Sequence, residues 1–210
     1  IRAGRRPEDI KLIAVTKTIN IQQIKEAIGA GLRIFGESKV QEAREKIQDS
    51  RFKIQNSNIE WHLIGHLQKN KAKTAVELFE MIHSVDSLEL AEATDKHAEK
   101  AGKIQKILLQ VKLSDEISKY GILKDNLSET IKEIREMKNL RIEGLMTIPP
   151  FFENPENARP YFNELRALRD KAEIMGFNLP ELSMGMTNDF EVAIEEGATM
   201  VRIGTAIFGE

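Results

Sequence analysis

The sequence predicts an α/β protein built as a (β/α)8 barrel, and three observations lead there. Short apolar blocks of strand length alternate strictly with amphipathic stretches of helical period, eight of the first and seven of the second. Most connections between them run to about 2 to 6 residues, the usual length of βα loops. The 210 residues contain no repeat, low-complexity tract or linker, which suits one domain with a real core. Alternating βα units form either an open doubly wound sheet or a closed barrel, and a count of eight favours the barrel.

The first strand is read from Leu12 to Val15, a continuous apolar block that ends on Thr16 and then Lys17. Apolar residues at 21, 24, 27 and 28 make the next stretch an amphipathic helix, stopped by glycines at 29 and 31. Leu32 to Phe35 is a second strand, ending in Gly36-Glu37-Ser38, and 38 to 48 carries the helical period again. Trp61 to Ile64 leads through Gly65-His66 into a helix ending near Phe79. Met81 to Ser84 leads to Ser87, an N-cap for the helix that follows. Ile104 to Leu113 is the clearest buried strand, with a polar loop containing Lys119-Tyr120-Gly121 after it. Then come a helix from Leu127 to Met137, a strand from Leu140 to Leu145, and a long helix from Ala158 to Met175 stopped by Gly176. A strand from Leu179 to Ser183 precedes the turn Met184-Gly185-Met186-Thr187, a brief helix spans Asp189 to Glu196, and Thr199 to Ile203 is the last strand. The helix expected after it is missing, and Ile1 to Arg6 reads as the tail of an N-terminal element.

Composition narrows the function. Lys+Arg 31 against Asp+Glu 33 gives −2, so no global field selects nucleic acid or an anionic membrane. The absence of cysteine excludes disulfides and thiolate chemistry and fits a reducing compartment. No apolar run approaches the roughly 20 residues of a membrane helix, so a cytoplasmic protein is expected. His62, His66, His83 and His97 lack the spacing of metal ligands, and Lys69, Lys71 and Lys73 read as a solvated helix start.

In a barrel, the residues just past each strand converge on one mouth. Lys17 lies past the first, and the last two loops hold Ser183-Met184-Gly185-Met186 and Gly204-Thr205, with Arg202 just before. Glycine lets backbone N–H groups approach an anion, hydroxyls add donors, and barrels often bind phosphate at these two loops. A lysine amine beside a phosphate subsite suggests a Schiff base, to a sugar phosphate or to pyridoxal phosphate (PLP).

The strings AVTKT, GESKVQEA, WHLIGHLQKNK, SVDS, SKYGI, GLMTI, LSMGMTND and VRIGTAIFG, in this order over almost the whole chain, closely resemble the pyridoxal phosphate homeostasis protein family. The resemblance implies that residues 1–210 form a single PLP-binding TIM barrel domain, similar to the N-terminal domain of alanine racemase and of PLP fold type III. It implies that Lys17 carries PLP as an internal aldimine. It further implies that Ser183, Gly204 and Thr205, with backbone from Met184 to Met186, hold the phosphate, that Arg202 faces the pyridine nitrogen, and that Ile64 lines the ring. The family usually has Asn where this chain has Ser38, near the ring; a serine is shorter and lacks the amide.

A guanidinium only donates hydrogen bonds, so opposite a pyridine nitrogen it disfavours protonation and leaves PLP a poorer electron sink. Alanine racemase takes a second acid/base, a tyrosine, from an additional domain. Here Tyr161 falls in an outer helix and Tyr120 in the loop after strand five. The expectation is therefore a PLP carrier or buffer without catalytic residues, a monomer that passes PLP to apo-enzymes. The alternatives are an amino-acid racemase or related weak PLP enzyme, and a Schiff-base aldolase.

Overall fold

Each strand is followed by a helix that must carry the chain back before the next strand begins, and this forces parallel pairing. The computed structural model describes residues 3–49, 58–114 and 120–209. Its strands are β1 (Lys11–Val15), β2 (Ile34–Glu37), β3 (Glu60–Leu63), β4 (Met81–Val85), β5 (Gln105–Lys112), β6 (Ile122–Leu123), β7 (Leu140–Met146), β8 (Glu181–Met186) and β9 (Met200–Ile203). Parallel ladders run in the order β4-β3-β2-β1-β9-β8-β7-β5, and a β4–β5 pairing closes the ring. These eight strands are the barrel. The two-residue β6 is an addition, paired only to the mouth end of β5 at Val111↔Ile122.

The helices are α1 (Ile21–Gly29), α2 (Val40–Gln48), α3 (Ala72–Leu78), α4 (Leu88–Lys100), α5 (Leu127–Arg135), α6 (Arg159–Ile174), α7 (Phe190–Glu195) and α8 (Thr205–Phe208). Asn20 caps α1 by accepting from the Gln23 amide at 3.0 Å, and Ser87 caps α4 as expected, accepting from Leu90 at 3.3 Å. The sequence predicts no helix after the last strand, yet the four-residue α8 is there. The expected tail at Ile1 to Arg6 lies partly outside the described residues, at Ile1 and Arg2, and Lys119 lies wholly outside them.

Side chains alternate between two cores. Ile13, Ile64, Met81, Leu108, Met146 and Met200 pack inside the barrel, while Ala14, Phe35, Leu63, Ile82, Leu145 and Leu182 belong to the larger cluster beneath the helices. Burial of each large side chain is worth about 1.5–3 kcal/mol, so both layers hold the strands in register. Close approach explains two glycines. A Cβ on Gly144 would stand 1.9 Å from Glu181 O, and one on Gly65 2.2 Å from Ser38 O.

One expected turn is part of a strand. β8 starts later than the predicted Leu179 and continues through Met186, because Gly185 at φ +91° carries a register shift that brings Met186 opposite Arg202. The turn begins at Thr187 instead.

Candidate functional site

Lys17 stands on an exposed turn that buried groups pin from below. Thr16 Oγ1 donates to Glu37 Oε1 at 2.6 Å, and the Thr16 amide donates to Gly36 O at 2.9 Å. Lys46, reaching in from α2, donates to Thr16 O, Glu37 Oε1 and Glu42 Oε1 at 2.6, 2.8 and 2.7 Å. Glu42 Oε1 also accepts from the Thr18 amide at 2.6 Å. These bonds hold Thr18 at φ +64°, a conformation that a β-branched residue rarely adopts. The turn is fixed on both sides of the lysine. Burial pushes the Glu37 carboxyl up against the pull of Lys46 and Thr16. At Glu42 burial acts upward too, but the bonds from Lys46 and Thr18 outweigh it and the carboxyl sits low.

The β1–β9 ladder sets Ile13 opposite Arg202 and Ala14 opposite Ile203, and a Cβ on Gly204 would stand 3.5 Å from that of Val15. Two residues past Val15, where β1 ends, comes Lys17. It therefore shares the mouth with Gly204 and Thr205, and β8 is the next strand over. Gly204 is half-buried and Thr205 exposed, at the start of α8.

Arg202 is 3% exposed. Its Nη1 donates to Ser183 Oγ at 2.7 Å and its Nη2 to Thr147 O at 2.9 Å, and its other N–H groups make no hydrogen bond among the described residues. Burial pulls the guanidinium down to about 10, with Asp189 acting the other way, so it is a cation at neutral pH. Asp189, itself pushed up by burial, accepts from the Met186 amide at 2.6 Å and closes the turn after β8.

The other predicted positions divide. Ile64 is buried inside the barrel, where a Cβ on Gly36 would touch Ile13 and Ile64. Ser38 is half-buried in the bend after β2, pressed by Gly65. Met184 packs into the outer core, so only its backbone faces the β8 end, whereas Met186 is 36% exposed. Ser183 is fully buried, its hydroxyl committed to Arg202 and, at 2.9 Å, to His83 Nδ1.

Sequence reasoning missed His62, His83, Thr147, Glu37 and Lys46. A signal existed for the histidines: each is the polar member of an apolar strand, on the same face as Ile64 or Met81, where burial demands a partner. At the rim His66 bonds Asp86 at 3.2 Å and stacks on Tyr120, centroids 3.6 Å apart.

The family model described as alanine racemase, N-terminal domain, matches residues 2–210. The pyridoxal phosphate homeostasis protein of Aquifex aeolicus is 45% identical over 211 residues, covering 100% of this chain and 90% of that protein. That of Escherichia coli K12 is 40% identical over 99% of this chain and 88% of its own length. The chain belongs to the pyridoxal phosphate homeostasis protein family. PipY of Synechococcus elongatus, solved with PLP bound, superposes on this family member with a TM-score of 0.89 at 38% identity, covering 99% of this chain and 96% of that one. Alanine racemase of Clostridium difficile shares the barrel, with a TM-score of 0.79 at 15% identity over 98% of this chain and 53% of the racemase.

Proposed function

We propose that this member of the pyridoxal phosphate homeostasis protein family binds pyridoxal 5'-phosphate at Lys17 and acts as an intracellular carrier or buffer that passes it to apo-enzymes. The observation that carries this is the placement of Lys17 one strand away from a buried Arg202 with N–H groups that make no hydrogen bond among the described residues. PLP fits these residues: it is an aldehyde for the amine, a ring acceptor for the guanidinium and a phosphate for the turns. When bound, the cofactor supplies the carbonyl that condenses with the Lys17 amine, with loss of water.

Arg202 would donate to the ring nitrogen and, being donor-only, would keep it unprotonated, which suits holding the cofactor better than stabilising a carbanion. Ile64 would line the ring, with Ser38 near it. Gly204 and Thr205, with the backbone of Met184, Gly185 and Met186, would hold the phosphate. Ser183 serves through Arg202, which leaves Thr187 and Thr205 as the hydroxyls of the cradle. Tyr120 is 55% exposed and stacked on His66 at the rim.

Residues 1–210 act in this proposal as one PLP-binding domain, monomeric and cytoplasmic; no helix among the described residues is long and apolar enough to cross a membrane. The purified protein is expected to show a visible absorption band that Lys17→Ala abolishes. Holo-protein should reactivate apo-forms of PLP enzymes faster than free PLP does, and reactivation at the free-PLP rate would sink the carrier role. Rapid deuterium exchange at Cα of an added amino acid would favour a racemase instead.

A further inference from the structure

A row of hydrogen bonds inside the barrel joins Arg202 to the rim where β3 begins. His62 Nε2 lies 3.4 Å from Glu60 Oε2, His83 Nε2 3.0 Å from His62 Nδ1, and His83 Nδ1 2.9 Å from Ser183 Oγ, which accepts from Arg202. The two ends determine where the hydrogens lie. A guanidinium only donates, so Ser183 Oγ is an acceptor toward Arg202; a carboxylate only accepts, so His62 carries hydrogen on Nε2. With one hydrogen per ring, His62 Nδ1 is bare and accepts from His83 Nε2. His83 Nδ1 is then bare too, and it takes the hydroxyl hydrogen of Ser183. Every donor points from the mouth toward Glu60.

Both rings lie in the interior: His62 is 1% exposed and His83 0%. Burial first, then any positive charge on His62 and the charges of Arg202 and Lys11, holds His83 well below its usual range. The charged groups around the row are Glu60 on β3, Lys11 on β1 with its partner Glu181 on β8, Lys106 on β5, Arg202 on β9 and Asp189 behind it.

We propose that His62 and His83 are positioning residues for Arg202, holding the Ser183 hydroxyl turned away from the guanidinium by a chain of hydrogen bonds of single direction that ends on Glu60.

Nitrogen NMR of the ligand-free wild-type protein at mildly alkaline pH tests the direction with no cofactor present. Both imidazoles are expected neutral with hydrogen on Nε2, and Ser183→Ala should move the His83 Nδ1 signal toward that of an unbonded nitrogen. Hydrogen on Nδ1 of either ring, or a His83 signal unmoved by Ser183→Ala, overturns the proposal. A second arm rests on the PLP reading above. His83→Phe, which offers Ser183 no acceptor, should weaken PLP binding about tenfold. His83→Asn, whose Oδ1 replaces Nδ1, should restore it to about twofold of wild type. An Asn variant that is folded yet as weak as the Phe variant, or a Phe variant equal to wild type, counts against positioning. A protein that takes up no PLP while showing the expected tautomers sinks the cofactor reading and leaves this one standing.

Discussion

Lys46 places an ammonium within hydrogen-bond reach of one carbonyl and two carboxylates, and its side chain is only 10% exposed. It stabilises the turn of Lys17 only while its partners are present, since removing one member of a buried pair strands the other charge. Lys46→Met should therefore lower the unfolding free energy by about 3 kcal/mol, measured by urea titration, and adding Glu37→Gln should recover part of that loss. The same variant should slow the reaction of Lys17 with PLP, because the Thr18 conformation depends on Glu42, which Lys46 orients. An unchanged rate in a folded Lys46→Met protein would show that the turn holds itself. Arg202→Lys should keep a positive charge but lose the fork that reaches Ser183 and Thr147 together, and the visible band of bound PLP should shift or weaken.

At the scale of elements, the loops at the mouth are set by where strands crowd one another. Gly65→Ala should push the β3–α3 loop off Ser38, since its Cβ would meet backbone that cannot rotate away. A loss of about 1–3 kcal/mol and weaker PLP binding are expected together, because Ile64 and Ser38 sit on the two sides of that contact. If stability falls and affinity holds, the loop does not help form the site. The eight barrel strands were legible in the sequence because each is a local apolar run, and so was the N-cap at Ser87; the two-residue β6 was not. The end of β8 was not, since whether Ser183 to Met186 turn or stay extended depends on pairing with β9, which periodicity does not register.

For the molecule as a whole, stability should fall in mild acid. His83 in the unfolded chain titrates at its ordinary 6.5, while burial holds the folded group well below it. The unfolded state thus binds more protons as pH drops under that value, so the His83 contribution is complete above it and is lost with falling pH. The slope is up to about 1.4 kcal/mol per pH unit, and His83→Asn should remove it in urea titrations between about pH 5 and pH 8. Glu37, Asp86 and Asp189, raised by burial, act in the opposite sense: their contribution is present below the unfolded carboxylate range and fades as pH rises through the folded one. The difference between wild type and variant isolates the histidine.

Local pattern by itself determined the alternation of strand and helix, the position of Lys17 just past the first strand and the glycine and hydroxyl residues after the last, because these depend on neighbours within a few residues. Closure of the ring decided the rest. Only the β1–β9–β8 adjacency puts Val15 beside Gly204 and the Lys17 turn on the same rim as the ends of β8 and β9, and only the shared interior brings His62, His83 and Ser183 into one row across separations of 21 and 100 residues. Such contacts follow from which face of each strand turns inward once eight strands tilt into a barrel, a property of the assembled sheet and of no single segment in it.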